Sequence, residues 1–258
     1  MQLTVWTFLI VCPLVFLAGF VDSVAGGGGV ISIPAYLLAG VPMKIAAGTN
    51  KFANGCGTAL ACWRYGASGN IHWPCAIPAA IGSLLGASLG TSLAVYMREE
   101  LLQLIVLASL PAVAVILIFA RNFGTEEKEA KPLKQTILIS LAIGLGVGLY
   151  DGLVGPGTGT FLALLFSLGL GYTLVKSSGC AKVANLASNI ASMVVFFLHG
   201  DILFTIGIPA MASSMLGNFL GARFAIKGGS GKIRIVMFVV LGLLFLKIGL
   251  NFLGVIEF

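Results

Sequence analysis

Charge is scarce in this sequence: only 9% of its 258 residues are charged, whereas 58% are hydrophobic. So little polar surface cannot cover a water-soluble globule of this size, which excludes a soluble domain and places the chain in a bilayer. Histidine is nearly absent. The only two, His72 and His199, fall near predicted loops without a nucleophile or further ligands beside them, so neither catalysis nor a metal site is expected. No C-x-x-C pair occurs among Cys12, Cys56, Cys62, Cys75 and Cys180, which sit mainly in apolar segments at irregular spacing and read as reduced packing residues. The glycine-rich stretches have no G-K-[ST] after them, so nucleotide binding is not expected, nor is any cofactor. No basic region precedes the first apolar run and no cleavage signal follows it, so it reads as a membrane element. The net charge of +6 suggests no nucleic-acid partner, because Lys and Arg lie mainly in short connections between apolar runs.

What remains is apolar chain. Ten stretches can be drawn, at about 3–21, 24–40, 43–66, 71–96, 99–120, 135–150, 153–171, 175–198, 202–223 and 232–254. Most suffice for a crossing helix, which needs about 20 residues. The second of each half is short and starts on glycine, so the first two form either two crossings or a hairpin that enters and returns. Residues 121–135, RNFGTEEKEAKPLKQ, are the one strongly polar region and read as a linker between two halves, 1–120 and 136–258.

The halves are copies. Shifting the chain by 131 residues matches positions 48–90 with 179–221 at 14 of 43 places, among them Gly48, Lys51, Asn54, Pro78, Gly86 and Gly90. A shift of 129 aligns Asp22 with Asp151 and Gly26 with Gly155. Each half has an odd number of crossings under either count, which turns the two copies opposite ways in the membrane. The expected fold is therefore all-α: a polytopic helical membrane protein of two inverted repeats, in which a substrate site lies near the midplane. Arg64, Arg121, Lys128, Lys131, Lys134, Lys176, Arg223, Lys227, Lys232 and Arg234 collect on one side, against Lys44 and Arg98 on the other. By the positive-inside rule the crowded side is cytoplasmic, which puts both termini outside.

Four charges fall inside apolar chain: Asp22, Lys51, Asp151 and Lys182. Each costs about 2.5–3.5 kcal/mol at a helix centre on insertion scales, so each must face protein or a wet cavity. Gly26, Gly27, Gly28 and Gly29, with Gly155, Gly157 and Gly159 around Pro156, are poor helix interiors, and the helices should break there. A break exposes amides at the start of the next half-helix, where an anion is favoured, with Ser23, Thr158 and Thr160 adding hydroxyls. Lys51 and Lys182 each stand three residues before an asparagine, Asn54 and Asn185, which puts ammonium and amide on one face. That face can hold an oxyanion; alternatively each lysine neutralises an aspartate. Asp22 and Asp151 can either take up a proton in coupled transport or cap the following helix. Gly82, Gly86 and Gly90, with Ser213, Gly217 and Gly221, read as close-packing faces between helices. Trp6, Trp63, Trp73 and Tyr96 near segment ends read as interfacial anchors.

The succession of an aspartate before a glycine-rich loop, proline and an apolar run, then A-A-G-T-N-K ending at Lys51, then G-N-I-H-W at 69–73, resembles the sulfite exporter TauE/SafE family of permeases. The resemblance covers nearly the whole chain. It implies a secondary carrier in the cytoplasmic (cell inner) membrane for a small sulfur-containing anion such as sulfite or a sulfonate, driven by an ion gradient. The alternative is a passive anion channel or a permease for another small oxyanion. The candidate site inherited by the matching positions is Asp22, Gly26 to Gly29, Lys51 and Asn54 with Asp151, Gly155, Gly157, Lys182 and Asn185. Thr49 and Asn50 belong to the motif in the first half, where the second half has Cys180 and Ala181, so the first half is expected to touch substrate more.

Overall fold

The structure is a computed structural model. It describes residues 5–98, 101, 131–153 and 155–252, with residues 124, 126, 127 and 129 between them. The expected segment 99–120 lies outside the described residues, apart from Leu101. Among the described residues the fold is all-helical: α1 Val5–Ala25, α2 Gly29–Leu38, α3 Met43–Ala67, α4 Trp73–Tyr96, α5 Leu133–Leu153, α6 Thr158–Leu170, α7 Leu174–Leu198 and α8 Phe204–Phe252. Four of these, α1, α4, α5 and α7, are long and apolar enough to cross a bilayer. At Gly229, φ 69° and ψ −174° interrupt α8, so its two arms are separate helices, corresponding to the expected stretches 202–223 and 232–254.

Glycine sets the breaks. Gly26 and Gly155, matched by the 129-residue shift, adopt φ 77° and 87°, a left-handed conformation that a side chain resists, and each ends a long helix within a few residues. The helices after the breaks are short. With 10 and 13 residues, α2 and α6 rise about 15 and 20 Å, well under a 30 Å hydrocarbon core. Both run back along their predecessors: Tyr36 and Val41 pack with Val11 and Val15 of α1, and Gly169 lies against Ile139 and Ile143 of α5. The first two stretches of each half thus form helical hairpins with a short second arm. Their tips meet, because Gly26 sits against the backbone of Gly159 and Thr160, and Thr160 Oγ1 donates to the Ala25 carbonyl at 2.8 Å.

Helices pack through glycine faces. A Cβ placed on Gly86 or Gly90 of α4 would lie 2.2 Å from the carbonyl oxygen of Leu145 or Leu149 on α5. On α8, a Cβ on Gly217 or Gly221 would lie 2.1 or 2.3 Å from that of Phe16 or Phe20 on α1. These are the same contacts with the halves exchanged. Gly86 and Gly217 differ by 131 and Phe16 and Leu145 by 129, the two shifts read from the sequence. Likewise Gly48 of α3 abuts the Asp201 carbonyl after α7, and Gly179 of α7 abuts the Asn70 carbonyl after α3. Hence α3 and α7 run antiparallel, side by side. The outer face of α4 exposes Ile77, Ile81, Leu85 and Leu89, and Trp6, Trp63, Trp73 and Tyr96 are exposed near helix ends.

Candidate functional site

Lys51 stands eight residues after the start of α3, and Lys182 eight after the start of α7, so the two enter from opposite ends to about 12 Å each. There each meets the aspartate of the other half. Lys51 Nζ lies 2.7 Å from Asp151 Oδ2 at the end of α5, and Lys182 Nζ lies 2.7 Å from Asp22 Oδ2 at the end of α1. All four side chains are at least nine-tenths buried. The quartet is formally neutral, so in this state no net positive charge faces a solute.

Beside the quartet lies a cavity of about 30 Å³, room for about two water molecules. Of the expected site residues, Asp22, Gly27, Gly29, Asn50, Lys51, Asn54, Asp151, Gly155, Thr158 and Asn185 line it. Gly29 and Thr158 open α2 and α6, so two half-helix starts point their dipoles at it. Asn50 and Asn54 line the cavity, and among the described residues neither side-chain amide has a hydrogen-bond partner.

Six expected residues serve the frame instead. Ser23 Oγ donates to Asn218 Oδ1 at 2.6 Å, and Gly26 fills the contact between hairpin tips. Gly28 packs against the Ala18 carbonyl and Asp22 Cβ, while Gly157 adopts φ 89° ahead of α6. Lys182 reaches the site through Asp22. Thr49 Oγ1 accepts the Leu203 amide at 2.9 Å, and Cys180 Sγ accepts the His72 amide at 3.4 Å, the same bond in the other half. The Thr49 and Cys180 difference is therefore structurally neutral. The Asn50 and Ala181 difference is not, since Asn50 lines the cavity and Ala181 is packed in the apolar core.

Both aspartates face a lysine first, and the contact of Asp22 with the start of the following helix is the Gly28 amide at 3.4 Å. Asp22 and Asp151 lie inside α1 and α5, and neither α2 nor α6 has a side-chain cap. Their surroundings also differ. Among the described residues Asp151 takes Lys51, Thr158 Oγ1 at 2.7 Å and Ser188 Oγ at 2.6 Å, whereas Asp22 has Lys182 and only the Gly28 amide at 3.4 Å. Sequence reading missed Ile33, Ala47, Pro156, Gly159 and Asn189 in the lining. Pro156 and Gly159 stand in the expected helix break without being assigned to the site, and two others carry a signal: Asn189 lies seven residues after Lys182 and four after Asn185, and Ala47 four before Lys51, on the same helix faces. Asn189 Nδ2 donates to Asn185 Oδ1 at 2.6 Å, fixing that amide.

Buried charges beside broken helices, in a bundle of long apolar helices with an apolar exterior, are the architecture of a polytopic membrane transporter. The chain belongs to the sulfite exporter TauE/SafE family, whose model matches residues 11–248. It is 35% identical over 224 residues to a "Probable membrane transporter protein" of Haemophilus influenzae, covering 85% of each chain. It is 33% identical over 225 residues to the "Probable membrane transporter protein ORF9" of a Sinorhizobium species, covering 87% of this chain and 85% of that one. Against the "Probable membrane transporter protein YfcA" of Escherichia coli K12 the identity is 29%, over 87% of this chain and 82% of the relative. No solved structure matches it.

Proposed function

We propose that the protein is a secondary transporter that moves a small sulfur-containing anion, such as sulfite or a sulfonate, across the cytoplasmic membrane by alternating access. The observation that carries this reading is the pair of crossed ion pairs, Lys51–Asp151 and Lys182–Asp22, beside a cavity lined by amide side chains and helix starts. Protonation of an aspartate frees a lysine for the anion, which couples entry of a proton to occupancy. The cavity is too small for an oxyanion of four or more heavy atoms, so loading requires the halves to move apart. Such movement breaks both pairs, and an anion between the lysines compensates for the loss.

The exchanged contacts support a reading of residues 1–120 and 136–258 as two inverted repeats joined by a cytoplasmic linker at 121–135. Arg64, Lys176, Arg223 and Lys227 belong to the helix ends where the Asn70 carbonyl meets α7, and Lys44, which donates to the Val95 carbonyl, to the opposite end. With the cation-rich end cytoplasmic, both termini face outward.

Proteoliposomes holding the parent, Lys51→Ala or Lys182→Ala and challenged with sulfite, thiosulfate and a sulfonate test the reading. Saturable flux of one anion in the parent, lost in both variants, is expected; full flux in both variants would place the site elsewhere, and flux that never saturates would mean a channel. Asp22→Asn should remove the response to an imposed pH gradient, and an unchanged response would take Asp22 out of the coupling.

A further inference from the structure

A second concave site lies at the cation-rich end, away from the crossed ion pairs. It is a cavity of about 250 Å³ between the last turn of α3 and the first arm of α8. Arg64 reaches it from α3, and Arg223 and Lys227, one helical turn apart, from α8. No carboxylate lines it, and among the described residues no ion pair engages any of the three cations. Arg64 is half-buried. Its guanidinium lies 4.2 Å from the centre of the Phe219 ring, and its Nε is buried without a hydrogen-bond partner among the described residues. A cation that only offset the α3 dipole would have its donors satisfied by the helix end or by water. Here a buried donor and two exposed cations converge on an unfilled space instead.

We infer that this cavity binds a phosphate-bearing anion, either the headgroup of an acidic phospholipid or a soluble phosphate ester. The chemistry fits: a planar guanidinium held over an aromatic ring presents donors to phosphate oxygens, and two further cations neutralise the charge. Trp63, exposed at the rim, has the amphipathic ring that settles at headgroup level, and Ile226 and Ala67 supply apolar wall. A basic cleft between membrane helices is how such headgroups are held. The inference does not depend on which solute the central cavity carries.

Purified protein in detergent, titrated separately with phosphatidylglycerol, phosphatidylcholine and glycerol 3-phosphate, tests it by native mass spectrometry and thermal shift. Arg223→Gln/Lys227→Gln is the comparison, and since both side chains are exposed its ligand-free melting should match the parent's. Phosphatidylglycerol should bind the parent and bind the variant about thirtyfold more weakly, each surface cation being worth about fivefold, with phosphatidylcholine binding neither tightly. Glycerol 3-phosphate bound by the parent and lost in the variant would assign the same site to a soluble ester. Equal phosphatidylglycerol affinity in parent and variant, or equal affinity for phosphatidylcholine, without binding of glycerol 3-phosphate, would overturn the assignment.

Discussion

Replacing Lys182 with methionine should destabilise the protein far more than replacing Lys51, although the repeat makes the two positions equivalent. Removing one partner of a buried ion pair leaves an uncompensated charge, at a cost of about 3–5 kcal/mol. In Lys182→Met the stranded carboxylate is Asp22, which among the described residues keeps only the Gly28 amide at 3.4 Å. The full penalty applies. In Lys51→Met the stranded carboxylate is Asp151, which keeps the hydroxyls of Thr158 at 2.7 Å and Ser188 at 2.6 Å. Hydrogen bonds to a charged group are worth about 1.5–3 kcal/mol each, so the two donors together offset most of the penalty and this loss should be about 2 kcal/mol or less.

Thermal unfolding in one detergent, followed by loss of the monodisperse peak or by intrinsic fluorescence, reads the difference. At about 2–4 °C per kcal/mol for a chain of this size, Lys182→Met should melt roughly 6–20 °C below the parent, and Lys51→Met only a few degrees below. Lys182→Met/Asp22→Asn removes both charges and should recover most of the loss. Equal losses for the two lysines, or a double variant as unstable as Lys182→Met, would refute the claim that the donors around each aspartate decide the outcome.

Gly86→Ala and Gly217→Ala each push a methyl to within 2.1–2.2 Å of a carbonyl across a helix pair, and should each lower stability by about 1–3 kcal/mol. Gly146→Ala, which meets nothing within 4 Å, should be neutral or stabilising by up to about 1 kcal/mol, and a series of melting temperatures separates the two cases. His72, in the connection before α4, has its pKa held below the usual imidazole value of 6.5 by burial and then by the nearby Lys176, with Glu127 opposing. The unfolded chain therefore binds the extra proton more readily, so this contribution is complete above pH 6.5 and is lost as pH falls through that value. The melting temperature of the parent relative to His72→Gln should drop over that range, and a flat difference would refute it.

The helical frame was largely legible, because lipid demands long apolar runs and the duplicated glycines carry their spacing into the helix contacts. Both offsets between the halves reappear as carbonyl partners of Gly86, Gly90, Gly217 and Gly221. The hairpins could be posed as an alternative but not resolved, since a segment of 17 apolar residues gives no sign that its first five are spent on a turn. Asp22, Lys51, Asp151 and Lys182 stood out because charge is rare in this chain. Which aspartate each lysine meets did not, since pairing within and across halves uses the same residues. Asn189 escaped because its counterpart is Thr58, so the repeat comparison that singled out Asn54 and Asn185 was silent there.

The frame keeps the exchange of halves, and the site departs from it. Helix contacts, hairpin turns and even the hydrogen bonds of Thr49 and Cys180 recur in both copies, because two helices packed through glycine tolerate little variation at 2 Å from a neighbour's backbone. Around the cavity the copies diverge: Asn50 faces Ala181 in the alignment, Thr58 faces Asn189, and Gly57 faces Ser188, the residue that adds a third donor to Asp151. One of these divergences has a physical reason in its own half. A side chain at Gly57 would meet Asn218 Nδ2 at 2.4 Å and Ser214 Oγ at 2.5 Å, so a serine there would require those two side chains to shift. The consequence is one carboxylate, Asp151, held by several donors and one, Asp22, held mainly by its lysine. Parting Lys51 from Asp151, which keeps its two hydroxyl donors, therefore costs less free energy than parting Lys182 from Asp22, whose charge depends on that lysine.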